Sequence, residues 1–384
     1  MTIKTNCVIM RGGTSKAIFL KQEDIPDEEA AKKKLILRIF GSPDSRQIDG
    51  LGGADPLTSK LAIIGPPPPI SENFPRADLT YTFGQVEINS PDIDWLSLCG
   101  NITSAVGVYA IEEGYVEAQA PITTVRVFNK NLQRILTVEV PVENGQPVVR
   151  GDFLVPGVPG SGAPILIDFA DTAGAATGAL LPTGNPIDCL HVPGFGEIEM
   201  SLVDIGNAHV FIRARDVGIK GTETAASLDA DPKLRKLFEL IRGVGAAKMN
   251  MISNVKDSSK ESPATPILAV VSEPADYHNQ ITETLVHEDE VDLVSRLQFM
   301  QQTHKTYAGT STVCTGAASR IPGTIVHEVS RKRAGITLRI GHPAGVIETE
   351  TIIEETNGIR MVKRATLSRT ARRILEGTVY TSED

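Results

Sequence analysis

An α+β protein built mainly from antiparallel sheet is the fold class this sequence predicts. Three observations carry the expectation. Segments rich in β-branched and aromatic residues recur along the chain, short turns join most of them, and helical spacing appears only in a few isolated stretches. At 384 residues the chain is long enough for two domains rather than one.

The elements follow in order. Apolar residues at helical spacing predict a helix over residues 27–40, closed by Gly41. Residues 80–88 (TYTFGQVEI) read as a strand, and 123–142 as a hairpin turning at Asn129-Lys130-Asn131. Residues 155–186 are dense in glycine and proline and predict a crossover between domains, whereas PPPP at 66–69 is a stiff extended loop. Further strands are expected at 197–203, 210–214, 266–272, 323–329, 335–340 and 346–354, and helices at 232–249, 289–302 and 365–376. The domains are expected at 1–185 and 186–384, with the C-terminal tail available to pack back on the first.

A weak internal repeat fits two related halves. Each half has a glycine turn running into a strand, and a cysteine roughly 90 to 110 residues later at the mouth of a small-residue helix. In this reading Cys99 and Cys314 correspond.

Composition narrows the function. A net charge of -9 argues against general affinity for nucleic acid or anionic membrane, but a locally positive pocket for an anion remains allowed. The four cysteines are far apart and the seven histidines are scattered, so no zinc site or disulfide framework is suggested. The N-terminus lacks the apolar run of a secretory signal, and no apolar stretch reaches the about 18 residues of a membrane span. A cytoplasmic protein without metal is expected.

Several clusters can carry chemistry. Residues 102–111 (ITSAVGVYAI) predict a buried helix, which puts Cys99-Gly100-Asn101 at its start. Backbone N–H groups there lower a thiol's pKa and bind carboxylate oxygens, so Cys99 reads as a proton carrier beside a substrate anchor. The other reading is a buried structural thiol. Cys314-Thr315-Gly316 offers the same two readings. Arg11-Gly12-Gly13-Thr14-Ser15-Lys16 can present N–H groups and the Ser15 hydroxyl to a carboxylate, or is a tight turn. The stretch DGLGGADPLTSK (49–60) delivers Lys60 to the start of an apolar strand. Desolvation there lowers an ammonium's pKa towards that of a useful base, unless the lysine is solvated. His342, ahead of Pro343, reads as a substrate contact or a turn residue. The basic run around Arg369, Arg372 and Arg373 gives the last expected helix a positive start, for an anion or for solvent.

Taken together, MRGGTSK (10–16), GGADPLTSKLAII (52–64), CGN (99–101), GVPG with APILIDF (157–169), LLPTGNP (180–186), IGHPAG (340–345) and RTARRILEG (369–377) closely resemble the 2-methylaconitate cis–trans isomerase (PrpF) family. Its relatives include 4-oxalomesaconate tautomerase, methylitaconate Δ-isomerase and aconitate isomerases. The resemblance implies a diaminopimelate-epimerase-like fold, with two similar domains each wrapping antiparallel sheet around a central helix and an active site in the cleft between them. It implies catalysis without metal or organic cofactor, with Lys60 and Cys99 as functional positions and Ser15 in the substrate pocket.

The expected activity is a cofactor-independent proton transfer that moves or reconfigures the double bond of a small unsaturated di- or tricarboxylate, such as 2-methylaconitate, aconitate or oxalomesaconate. Gly13, Thr14, Ser15, Gly100 and Asn101 would hold carboxylates, with Cys314 and His342 as further candidates. Lys60 and Cys99 would exchange the proton, in either assignment of acid and base. Two other readings stand beside it: an amino- or hydroxy-acid racemase with two facing cysteines, and a non-catalytic accessory to a hydratase. The sequence leaves the oligomeric state open, with a homodimer as one option.

Overall fold

The computed structural model describes residues 2–69 and 76–382. The chain forms two compact units, one of Met1–Ile167 with Arg369–Asp384 and one of Asp168–Ser368. The change of unit falls inside the glycine- and proline-rich stretch 155–186.

In the first unit, strands Thr2–Gly12 (β1) and Ser15–Lys21 (β2) form an antiparallel hairpin closed by the pair Gly12 and Ser15. Helix Glu29–Phe40 (α1) starts where the Glu28 carboxylate accepts the N–H groups of Ala30 and Ala31, and ends at left-handed Gly41. It leads to Lys60–Gly65 (β3), parallel to β2, and then to Leu79–Val86 (β4), antiparallel to β3. The two-residue strand Ile93–Asp94 (β5) borders β4. Helix Gly100–Glu112 (α2) follows, then Ile122–Asn129 (β6), parallel to β4, and Arg134–Glu143 (β7), antiparallel to β6. The late strand Ala371–Ser382 lies antiparallel along the other side of β1.

The two faces of this sheet bury different partners because strand side chains alternate. Ile18, Leu20, Leu61 and Ile63 meet Leu35, Ile36, Ile39 and Phe40 of α1 in one core. Helix α2 is buried from Gly100 to Ile111 and contacts β1, β2, β6 and β7. Its small residues permit this: a Cβ on Gly107 would lie 2.5 Å from a methyl of Val138. Each fully buried aliphatic side chain along it contributes roughly 1.5–3 kcal/mol of burial.

The second unit repeats the order. Strands Gly196–Ile205 (β8) and Asn207–Arg213 (β9) form an antiparallel hairpin, and helix Pro232–Lys248 (α3) packs over their core. Strand Ile267–Ser272 (β10) is parallel to β9 and Leu293–Phe299 (β11) antiparallel to β10. The buried helix Gly309–Ser319 (α4) precedes Thr337–His342 (β12), parallel to β11, and Gly345–Thr356 (β13), antiparallel to β12. Both units thus run hairpin, helix, parallel step, antiparallel step, buried helix, parallel step, hairpin. The repeat that two landmarks suggested extends over the whole topology.

Four expectations change. Residues 289–302 contain β11, not a helix, because a strand buried on both faces loses the alternation that would have marked it. Residues 365–376 are strand rather than helix, since pairing of the last strand with β1 outweighs the local spacing of its arginines. Residues 323–329 hold the short helix Ile325–Val329 instead of a strand, because the Thr324 hydroxyl caps it on the His327 N–H. Cys314 lies in the middle of α4 rather than at its mouth. Among the described residues, no helix is long and apolar enough to cross a membrane.

Candidate active site

Lys60, Cys99, Gly13, Thr14, Ser15, Gly100 and Asn101 all belong to the first unit. The loop ahead of Lys60 is fixed from inside. Buried Gln47 accepts the Ala54 N–H at 2.8 Å and the Ser59 hydroxyl at 2.7 Å, while the Asp55 carboxylate accepts the Leu57 N–H at 2.9 Å. The Lys16 N–H donates to the Leu57 carbonyl, which ties this loop to the strand that follows the glycine turn.

The Lys60 side chain is 3% exposed. Its Nζ donates to Gln85 Oε1 at 2.5 Å and lies 5.3 Å from the centre of the Phe83 ring. Burial pulls the ammonium's pKa down, against the opposing charges of Cys99, Asp55 and Asp94. A lysine that gives up its proton more readily than usual thus lies within electrostatic reach of Cys99.

Cys99 is the N-cap of α2, partly exposed, with Gly100 and Asn101 opening the first turn. First-turn N–H groups have no partner inside a helix and favour negative charge. Around them the turn Gly12 to Ser15 is clamped in place. Asn101 Nδ2 donates to Thr14 Oγ1 at 3.0 Å and Ser15 Oγ at 3.5 Å. The Gly13 N–H donates to the Thr370 carbonyl, and Arg11 Nη1 donates to both the Gly13 and Thr370 carbonyls. Gly13 has to be glycine: its φ is +50° and a Cβ there would stand 2.3 Å from Asn101 Oδ1.

Arg369 joins this group. It is 2% exposed, its Nε donates to Asn101 Oδ1 at 2.7 Å, and burial pushes its pKa down to about 9. The sequence marks this basic run but points to a helix start or to solvent. A strand places Arg369 instead, so the guanidinium becomes a buried cation at the start of α2. Asp94, at the end of β5, is also buried; burial raises its pKa against the Ser97 hydroxyl, which donates at 2.6 Å. Glu87 nearby is pushed up to about 7 by burial and by Asp94 and Asp92. Nothing in the local sequence marked Gln85 or Asp94, because only strand register brings them to Lys60.

Cys314 and His342 belong to the second unit. The Cys314 thiol is fully buried, donates to the Val203 carbonyl at 3.6 Å, and has its pKa raised well above the usual value by burial. His342 ends β12 opposite Gly345, and its Nδ1 accepts the Ala344 N–H at 3.2 Å, as a turn residue does.

The repeat shows what the second unit has where the first has Lys60 and Cys99. Thr103 Oγ1 donates to the N-cap carbonyl of Cys99 and Thr312 Oγ1 to that of Ala308, each at 3.0 Å. Asn101 bonds the glycine turn of its unit through Thr14, and Thr310 bonds its own through Asn207. The counterpart of Cys99 is therefore Ala308, not Cys314. Strand register pairs Ala17 with Lys60 and His209 with Ile267, so an isoleucine stands where the first unit has its amine. The second unit thus has neither a thiol nor an amine at these positions, which counts against two facing cysteines. Among the described residues, no three His, Cys, Asp or Glu side chains converge as metal ligands.

The sequence profile described as PrpF protein matches residues 2–382. The chain belongs to the PrpF family. It is 51% identical over 375 residues to the 3-methylitaconate isomerase of Eubacterium barkeri, covering 97% of this chain and 96% of that one. The crystal structure of a methylitaconate-delta-isomerase, also 51% identical, superposes with a TM-score of 0.81 over 99% of this chain and 96% of that chain. A hydroxyproline epimerase from Agrobacterium vitis is 12% identical and superposes at 0.57, covering 100% and 93%, so the epimerase-like α+β fold is shared. This PrpF-family chain is an isomerase, and the accessory reading finds no support among these relatives.

Proposed function

We propose that this isomerase shifts a proton between the two allylic positions of a small unsaturated polycarboxylate, with methylitaconate-type acids first among its substrates. For such an acid, the proton leaves the methyl-bearing carbon next to a carboxylate and the C=CH2 group. A proton then returns to the methylene carbon, and the double bond moves inward between the two carboxylate-bearing carbons. The shift is redox-neutral and asks for one base, one acid and donors on the carboxylates.

The observation that carries this reading is a buried, readily deprotonated Lys60 within electrostatic reach of Cys99, in the unit that also holds the Gly13–Ser15 turn, Asn101 and Arg369. In this reading, the turn, Asn101 and Arg369 supply the polarity that stabilises charge developing on carboxylate oxygens in the dienolate. Neutral Lys60 takes the proton and Cys99 returns one. The 51% identity to a 3-methylitaconate isomerase supports the substrate choice.

The test is proton NMR in deuterated buffer of the purified protein with methylitaconate, 2-methylaconitate, trans-aconitate and oxalomesaconate. A double-bond shift with deuterium gained at the new position is expected. Lys60→Ala should lower turnover about 10² to 10⁴-fold while the fold persists. Full activity of that variant on the substrate found would overturn the base assignment.

A further inference from the structure

We propose that Gln85 is the positioning residue that sets the aim and the proton occupancy of the Lys60 amine. The inference rests on the reading of Lys60 as a proton-transfer group, and it concerns what holds that group ready.

The geometry is specific. Gln85 is fully buried on β4, directly across from Lys60 on β3 and from Asp94 on β5. Residues directly opposite in an antiparallel pair project to the same face, so amine, amide and carboxyl form a row across three strands. Gln85 Nε2 donates to the carbonyls of Pro56 at 3.1 Å and Ser59 at 3.2 Å. Those two bonds fix the amide: the reverse orientation would set its oxygen against two carbonyl oxygens. Oε1 is therefore turned to Lys60 Nζ, 2.5 Å away. The same two bonds hold the loop that delivers Lys60, so one side chain fixes both the backbone and the tip of the lysine.

The chemistry of the partner matters as much as its place. An amide oxygen accepts a hydrogen bond without carrying charge, so it orients the amine and favours the ammonium far less than a carboxylate would. A carboxylate in its place would form a buried ion pair and hold the proton on nitrogen. The ionisable groups whose charges act on Lys60 are Cys99, Asp55 and Asp94, and all three favour the ammonium. Desolvation outweighs them, and a neutral Gln85 keeps that balance; one more adjacent negative charge works against it. Gln85 also stands between Lys60 and Asp94 in the row, which keeps the Asp94 carboxyl one strand further away.

The experiment compares Gln85→Glu and Gln85→Leu with the unaltered enzyme. Two quantities are followed against pH: the rate at which acetic anhydride acylates Lys60, read by peptide mass spectrometry, and kcat/KM on methylitaconate. In Gln85→Glu the acylation midpoint should rise by about one pH unit or more, as expected for an opposite charge at contact distance. In Gln85→Leu it should fall, because an acceptor for the ammonium is gone. Opposite shifts are something a merely structural role would not produce. If Gln85→Glu fails to fold, Gln85→Leu alone decides by the direction of its shift. A Lys60 midpoint that stays at its original pH in either folded variant overturns the proposal. Midpoints that move while the kcat/KM profile stays fixed would support Gln85's role and remove Lys60 from the proton-transfer step.

Discussion

Replacing Gly13 with alanine separates two costs that the structure lets one count. The first is backbone strain: φ is +50°, and an L-residue in the left-handed region costs roughly 1–2 kcal/mol. The second is collision, since the new Cβ would sit 2.3 Å from Asn101 Oδ1 and 2.8 Å from Arg369 Cδ. Asn101 can yield only by giving up the 2.7 Å bond from Arg369 Nε, and a hydrogen bond to a charged group contributes about 1.5–3 kcal/mol. Strain appears as lost stability, measured by urea unfolding. The displaced Asn101 and Arg369 appear as lost kcat/KM, about tenfold to a hundredfold at roughly 1.4 kcal/mol per decade. Gly114 is the control, because its φ is +75° and a Cβ there meets nothing within 4 Å. Gly114→Ala should lose similar stability and keep kcat/KM. An unchanged kcat/KM in Gly13→Ala, or an equal loss in Gly114→Ala, would refute the reasoning.

Other outcomes follow from the same geometry. Arg369→Met should raise KM at least tenfold, since it removes a buried cation beside Asn101, and initial-rate kinetics over a range of substrate concentrations would show it. Cys99→Ala should lower kcat by about 10² to 10⁴, whereas Cys314→Ala should keep kcat, measured by the same NMR assay. His209 is fully buried and its pKa is pushed from 6.5 down to about 4, chiefly by burial. The unfolded chain therefore binds more protons between these values, so stability is kept above pH 6.5 and lost as pH falls towards 4. That difference corresponds to about 3 kcal/mol, and His209→Gln should remove it from the pH dependence of urea unfolding.

Local pattern carried much of the fold. Gly41 and the apolar spacing marked α1, the β-branched runs marked the hairpin of β6 and β7, and small residues after Cys99 marked α2. The errors share a cause. Residues 293–299 are buried on both faces, so leucine and valine spacing compatible with a helix gave no warning of a strand. The pairing of residues 371–382 with β1 joins positions separated by almost the entire chain, which no local window contains. The candidate site shows the same divide. Gly13, Ser15, Lys60, Cys99 and Asn101 sit in conspicuous turns and were legible. Arg369 was visible but misassigned with its strand, and Gln85 was invisible because only register brings it to Lys60. The match of Cys99 to Cys314 failed because it relied on residue type; hydrogen-bond position within the helices points to Ala308.

The strand Ala371–Ser382 pairs with β1 along its whole length, from Thr2 opposite Ser382 to Gly12 opposite Ala371, with one bulge between Ile9 and Met10. The unit that holds Lys60 and Cys99 therefore closes its sheet on residues from the far end of the sequence, with the whole of Asp168–Ser368 in between. A chain truncated before residue 369 would carry the glycine turn and the thiol without the Arg369 guanidinium that bonds Asn101.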